Sequence, residues 1–410
     1  MKFVVELSSK CSGRLGLLSN IERLPERCIN TPFLLFVNPN LSREVLELNF
    51  CLKSDFGVAL PISKTEQMEE PLQLSKKGIS EFIGLSECLT FLTFQNTSEL
   101  TRTGHHEKGS IPVFRTAGKI NLNTQRYMNI VEVSKPDFYL SLADSDTWKD
   151  CPKRRLIKSN ERSQEFFEEC ISHHKKINSK SKLIATVEGG YNMHERKKCI
   201  DYLKKEDEYI SGFLIDGFHR NGFEATQVDV DAMTEIVEKT VEILNNDKVR
   251  LMFGAYLPHV TLQLISLGID IFDSSFIQIV TNMNRALVFN FDINNPVKRF
   301  PEIDLTDEKY KEDFTGFLEN CDCLACRQHT KAYVNHLLIT KELLAPMLLT
   351  IHNLHHYKRF FEVIRECIKN NKLPELIKLV TDQYKEAGSL IYEQPEITDK
   401  YIKKHNASSK

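Results

Sequence analysis

Between about residue 120 and Phe291, short apolar runs alternate with longer stretches in which apolar residues recur every three or four positions. The short runs have the length of buried strands, and the longer ones the period of amphipathic helices. In order they predict a helix over 124–133, a strand over 137–143, a helix over 155–175 and a strand over 182–187. A helix over 195–205, a strand over 211–215, a helix over 231–244 and a strand over 250–253 follow. The series ends with a helix over 259–267 and strands over 270–272 and 285–291. Strand and helix alternating across connections of a few residues is the signature of βα units around a parallel sheet. Five or more such units without a glycine-rich dinucleotide fingerprint favour a (β/α)8 barrel of the TIM type over a doubly wound sheet.

The flanking regions read differently. Residues 1–120 carry short β-rich runs, among them 33–37 and 86–94, separated by the polar turns Asn38-Pro-Asn40, Lys76-Lys-Gly78 and Gly104-His-His-Glu-Lys-Gly109. This punctuation predicts an N-terminal antiparallel portion of the barrel domain. Its His105-His106 pair reads as exposed turn residues. Residues 121–300 hold the parallel βα units. Residues 301–410 form a third region: a polar loop, a cysteine cluster and a helical end. There Lys331 to Leu349 reads mostly as helix, interrupted late by Pro346, and 354–368 and 374–384 read as amphipathic helices rich in Lys and Arg.

Composition narrows the class only a little. The chain has 410 residues, 41% hydrophobic and 27% charged, with a formal net charge of −2. That balance is ordinary for a globular chain, and any basic surface for nucleic acid would have to be local. No run approaches the ~18 apolar residues of a membrane span, and the first ten residues lack a signal-peptide apolar core and look like a strand. Eleven cysteines, an odd number and mostly scattered singly, argue against a disulfide framework and for a reducing, cytoplasmic setting.

Two constellations carry chemistry. In a barrel, the residues just after each strand line the functional face. Here they are Asp144, Glu188-Gly-Gly190, Asp216-Gly217, Gly254 and Asp273, acidic at four of five strand ends. Asp and Gly also begin loops and cap helices, so each has a purely structural reading as well. The second constellation is Cys321-Asp-Cys323-Leu-Ala-Cys326. Three thiolates on one tight turn, with a histidine folded back from downstream, make the donor set of a tetrahedral Zn2+. With all four positions filled by protein, such a site is closed and structural, with no place for a catalytic water. On spacing alone His329, His336, His352, His355 and His356 compete for the fourth position.

Cys321-x-Cys-x2-Cys326, Lys331-Ala-Tyr-Val-Asn-His-Leu-Leu338 and His352-Asn-Leu-x-x-Tyr357 together resemble the zinc motif of the tRNA-guanine transglycosylases. The resemblance selects His352 as fourth ligand beside Cys321, Cys323 and Cys326. Met252-Phe-Gly254 and Leu267-Gly-Ile-Asp-Ile-Phe-Asp273 resemble the strand leading to that family's nucleophilic aspartate. Gly78-Ile-Ser-Glu-Phe-Ile-Gly84 and Val187-Glu-Gly-Gly190 echo two further blocks. The family exchanges a guanine in tRNA for a 7-deazaguanine base: an aspartate attacks the ribose anomeric carbon, and a second carboxylate moves the proton.

The likeness breaks in the catalytic blocks. The family's Asp-Ser-Gly-Gly-Phe-Gln, whose aspartate is the acid/base residue, is here Thr90-Phe-Leu-Thr-Phe-Gln95. The Pro-Thr-Arg loop after the nucleophile is Ser274 to Thr281, the base-reading Gln is Glu188, and Gly-Gly-Leu is Asp216-Gly-Phe218. Asp144 and Asp273 survive. A retained zinc motif with eroded catalytic blocks implies no catalytic residue in this chain. It implies an accessory subunit, one that pairs with a catalytic homologue to insert queuine at the wobble position (34) of tRNAs with GUN anticodons, those for aspartate, asparagine, histidine and tyrosine. The same resemblance extends to a homodimer when the chain is alone and to peripheral attachment at the mitochondrial outer membrane. Lys358, Arg359 and Arg365, on a helix beside the zinc histidine, are the candidates for tRNA phosphate contacts. The competing reading is a self-sufficient, divergent transglycosylase with Asp273 as nucleophile.

Overall fold

A computed structural model describes residues 1–8, 13–37, 57–115, 118–388, 390 and 392. The turn at 38–40 lies outside the described residues. Eight parallel strands close into a barrel in the order β4 (Phe33–Val37), β5 (Gly57–Pro61), β6 (Leu89–Thr93), β9 (Phe138–Leu140), β10 (Lys182–Val187), β11 (Ile210–Ile215), β12 (Val249–Leu251) and β13 (Ile271–Asp273). Closure runs from β13 back to β4, with Ile271, Phe272 and Asp273 paired to Phe33, Leu34 and Leu35.

The barrel therefore begins at Phe33, and the antiparallel reading of 33–37 and 86–94 is corrected. Every residue of β4, β5 and β6 is buried. Strands covered on both faces read as unbroken apolar runs, the mark of a parallel sheet wrapped by helices. Antiparallel pairing belongs to two small sheets outside the barrel. One is β1 (Lys2–Ser8), β2 (Arg14–Ser19) and β3 (Ile29–Thr31), and the other is the hairpin β7 (Ser110–Arg115) with β8 (Gly118–Asn123). The apolar run at 285–291 is also not a barrel strand. Its first part, β14 (Arg285–Leu287), pairs antiparallel with β15 (Glu302–Asp304), because β13 has already closed the barrel.

The predicted helices of the barrel wall form: α1 (Thr124–Ser134), α2 (Lys153–Ile177), α3 (Met193–Leu203), α4 (Val230–Ile243) and α5 (Pro258–Ser266), and a further helix that was not predicted, α6 (Ser275–Asn282), follows β13. Side-chain oxygens of Asn123, Asn192 and Asp229 accept the first free amides of α1, α3 and α4, which fixes where those helices start. Beyond the barrel lie α7 (Leu324–Gln328), α8 (Lys331–Ile339), α9 (Leu344–Lys369) and α10 (Leu373–Glu386). Pro346 does not end a helix. The chain turns at Lys341, whose φ is 58°, and Pro346 sits in the first turn of α9, where a missing amide costs nothing.

Helix α9 joins two cores. Its Leu348, Leu349 and Ile351 belong to a small cluster with Leu305, Phe317, Cys323, Val334 and Leu337. Its Leu354, Tyr357, Phe360, Phe361 and Ile364 belong to the main core of the barrel. His352 lies where the helix passes from one to the other.

Candidate metal centre and barrel mouth

Cys321, Cys323, Cys326 and His352 converge. Their ligand atoms all lie within 4.8 Å of one another. The Nδ1 of His352 is 3.8, 3.6 and 3.3 Å from the sulfurs of Cys321, Cys323 and Cys326. A tetrahedral zinc with its usual bond lengths sets sulfur and nitrogen about 3.5 Å apart, so the donors already have the spacing of the ion. The local fold explains this. Cys323 occupies the N-cap of α7 and its sulfur accepts the amide of Cys326 at 3.3 Å, which turns both sulfurs to one side.

His352 is aimed from behind. Its Nε2 lies 2.9 Å from the backbone carbonyl of Leu287. A carbonyl only accepts, so Nε2 carries the proton and the Nδ1 lone pair faces the sulfurs. The competing histidines go elsewhere. His329 stacks on Tyr333, His355 pairs with Asp322 at 2.9 Å, and His356 is buried against Phe289 and Phe291. His336 is exposed on α8.

At the other constellation the acids meet at the barrel mouth, held by protein partners. The Asp273 carboxylate is 4% exposed. It accepts from the Thr97 hydroxyl and from the amides of Gly254 and Ser275 at 3.3 and 3.1 Å, while the Ser275 hydroxyl donates to Thr97 at 2.8 Å. Burial pushes this carboxyl above its usual range despite those donors. Burial also raises Asp144, but Arg155, His106 and Arg162 outweigh it and hold that carboxyl low. Glu188 accepts from the Ser145 hydroxyl, and burial and the neighbouring Asp216 drive its pKa up. Arg196, fully buried, donates to the carbonyls of Gly190, Val187 and Asp216 and lies 4.1 Å over the Phe218 ring.

The sequence reading missed two of these residues, His106 and Thr97. His106 is not an exposed turn residue: its side chain is 8% exposed, with Nδ1 3.3 Å from Asp144. Thr97 comes from the loop after β6 to meet Asp273. Thr90, paired by resemblance with the family's acid/base aspartate, is the second residue of β6 and donates its hydroxyl to Asp137 at 2.9 Å. The segment after Asp273 is helix α6 from Ser275 on.

The candidate phosphate contacts divide. Arg359 is exposed on α9 and pairs with Glu362 at 3.0 Å, and Lys358 beside it is half-buried. Arg365 donates to the Pro32 carbonyl at 2.9 Å and ties α9 to the residue before β4.

Residues 9–386 match the family model described as queuine tRNA-ribosyltransferase. Curated relatives named queuine tRNA-ribosyltransferase accessory subunit 2 are similar along nearly the whole chain. The Aedes aegypti protein is 40% identical over 393 residues, 93% of this chain and 93% of its own. The Anopheles gambiae protein is 39% identical over 385 residues, 92% and 89% of the two chains. The Drosophila melanogaster protein is 39% identical over 393 residues, 93% of each.

Proposed function

The chain belongs to the queuine tRNA-ribosyltransferase family, and on that premise we propose that it is a non-catalytic accessory subunit. In this reading it binds a catalytic homologue and tRNA, and supports exchange of guanine for queuine at the wobble position of tRNAs with GUN anticodons. The observation that carries it is the state of Asp273. Base exchange needs an ionised carboxylate free to attack the anomeric carbon and a second carboxylate to move the proton. Here Asp273 is sealed among Thr97, Ser275 and Gly254, whose donors occupy its carboxylate oxygens, and Thr90 stands where the resemblance puts the second carboxylate.

The retained metal ligands support a binding role. Cys321, Cys323, Cys326 and His352 would hold one Zn2+, and the ion would supply cross-linking rather than chemistry, since protein fills all four positions. Those residues pin α7 and the loop before it to α9. A partner-facing surface is favoured nearby. Seven of the eleven large apolar side chains exposed among the described residues fall between Val297 and Leu344, including Phe314, Ile339 and Leu343. Exposed apolar side chains that gather into one patch mark association surfaces, and that is the role proposed for these. Lys358 and Arg359 are the proposed phosphate contacts, and Arg365 contributes mainly by holding their helix. The nine free cysteines among the described residues favour a reducing, cytoplasmic setting. No helix among the described residues is long and apolar enough to cross a membrane.

The test is guanine exchange into tRNA by the purified chain, alone and mixed with a catalytic subunit of the family, with size-exclusion chromatography of each sample. Silence alone, then activity and co-elution as a heterodimer, is the expected result. Exchange by the chain alone would make it an enzyme using Asp273.

A further inference from the structure

The buried amide of Asn353, next to the metal-ligand histidine, spends its hydrogen bonds on the strand that aims that histidine. Asn353 is fully buried. Its Oδ1 accepts from the Leu287 amide at 2.8 Å, and its Nδ2 donates to the Arg285 carbonyl at 3.0 Å and the Thr281 hydroxyl at 3.1 Å. Leu287 is also the residue whose carbonyl receives the Nε2 proton of His352. One residue of β14 is thus held at its amide by Asn353 and at its carbonyl by His352. Thr281 belongs to α6, the helix that begins two residues after Asp273.

From this arrangement, and resting on the zinc reading above, we propose that Asn353 is a positioning residue of the metal centre. It fixes the Leu287 peptide, which sets the tautomer and ring angle of His352, and it ties that peptide to the barrel wall through Thr281. An imidazole without a fixed partner on its far nitrogen rotates and loses basicity, and such partners are generally worth 10- to 100-fold in metal affinity.

The experiment uses the full chain loaded with Zn2+ or Co2+, with affinity read by competition against a chromophoric chelator. Asn353→Leu should bind zinc roughly 10- to 100-fold more weakly and shift the Co2+ ligand-field bands. Thr281→Val, which cuts only the tie to the barrel, should lower thermal stability and leave affinity within about threefold of the unsubstituted chain. An Asn353→Leu chain with unchanged affinity and spectrum overturns the proposal. So does a Thr281→Val chain that loses as much affinity as Asn353→Leu, because the effect would then be general loosening of α9. Should Asn353→Leu fail to fold, Asn353→Ala decides by the same two readouts: weaker affinity with shifted Co2+ bands supports the proposal, and unchanged affinity and spectrum overturn it. If the unsubstituted chain takes up no zinc, the zinc reading itself fails, a result distinct from both variant outcomes.

Discussion

Replacing Cys323 by serine isolates the contribution of the metal from that of the helix it caps. Cys323 is the N-cap of α7, and its sulfur already accepts the Cys326 amide. Serine is among the best N-cap residues, so Cys323→Ser should leave α7 no weaker, and any loss of stability then belongs to the metal. The small core at the site has only eleven buried residues, three of them alanines and one Cys323 itself, to order a region that includes two short helices. A core that small depends on a cross-link. A substitution that weakens the site a thousandfold removes about 4 kcal/mol of linked stability when free metal exceeds the original dissociation constant by that factor. The expected outcome is a fall from about one zinc per chain to about half at that free-metal level, measured by mass spectrometry of the metal. Hydrogen exchange should speed up across 305–350, while β10 and β11 of the barrel keep their protection. Unchanged zinc content, or unchanged exchange over 305–350 after zinc is lost, would refute the reasoning.

Three further outcomes follow from the barrel. Burial lowers the pKa of His219 to about 4, consistent with Nδ1 accepting from the Asn221 amide at 3.0 Å. The unfolded chain binds this proton near pH 6.5 and the folded chain does not, so stability falls as pH drops from 6.5 towards 4, by roughly 3 kcal/mol from this residue. Thermal melts across that window should show the loss, and it should shrink in His219→Gln. Gly189→Ala should cost on the order of 2 kcal/mol or more in urea unfolding, because φ is +128° and the new Cβ would sit 2.6 Å from the Arg196 amide nitrogen. Asp270→Ala should cost about 3–5 kcal/mol by the same assay, since it strips the buried Arg14 of its carboxylate and leaves the charge uncompensated.

How much of this was legible in the chain depends on how local the cause is. The helices from 124 to 267 follow from periodicity, because each buries one face against its neighbours, and the strands between them follow from short apolar runs set at regular spacing between those helices. The cysteine triplet is legible for the same reason, its sulfurs being close in sequence. His352 was not singled out by spacing, since five histidines lay within reach, and only the resemblance to the zinc motif chose it. The strand at 33–37 misled because a run buried on both faces carries no alternation, and turn residues around it decided the reading. Thr97, His106 and Asn353 were illegible. Thr97 meets Asp273 across 176 positions and Asn353 meets Leu287 across 66. A lone threonine, histidine or asparagine announces no partner that far away.

The central claim is that this chain contributes binding and not chemistry, and Asp273→Asn within the heterodimer tests it most directly. Asparagine keeps the size and an acceptor for the Gly254 and Ser275 amides but cannot act as a nucleophile. The measurement is the rate of guanine exchange into tRNA by a catalytic subunit paired with the substituted chain, against the same subunit paired with the unsubstituted one. Rates equal within about twofold are predicted. A loss of a hundredfold or more, about 2.7 kcal/mol of transition-state stabilisation, with the heterodimer intact, would contradict the account.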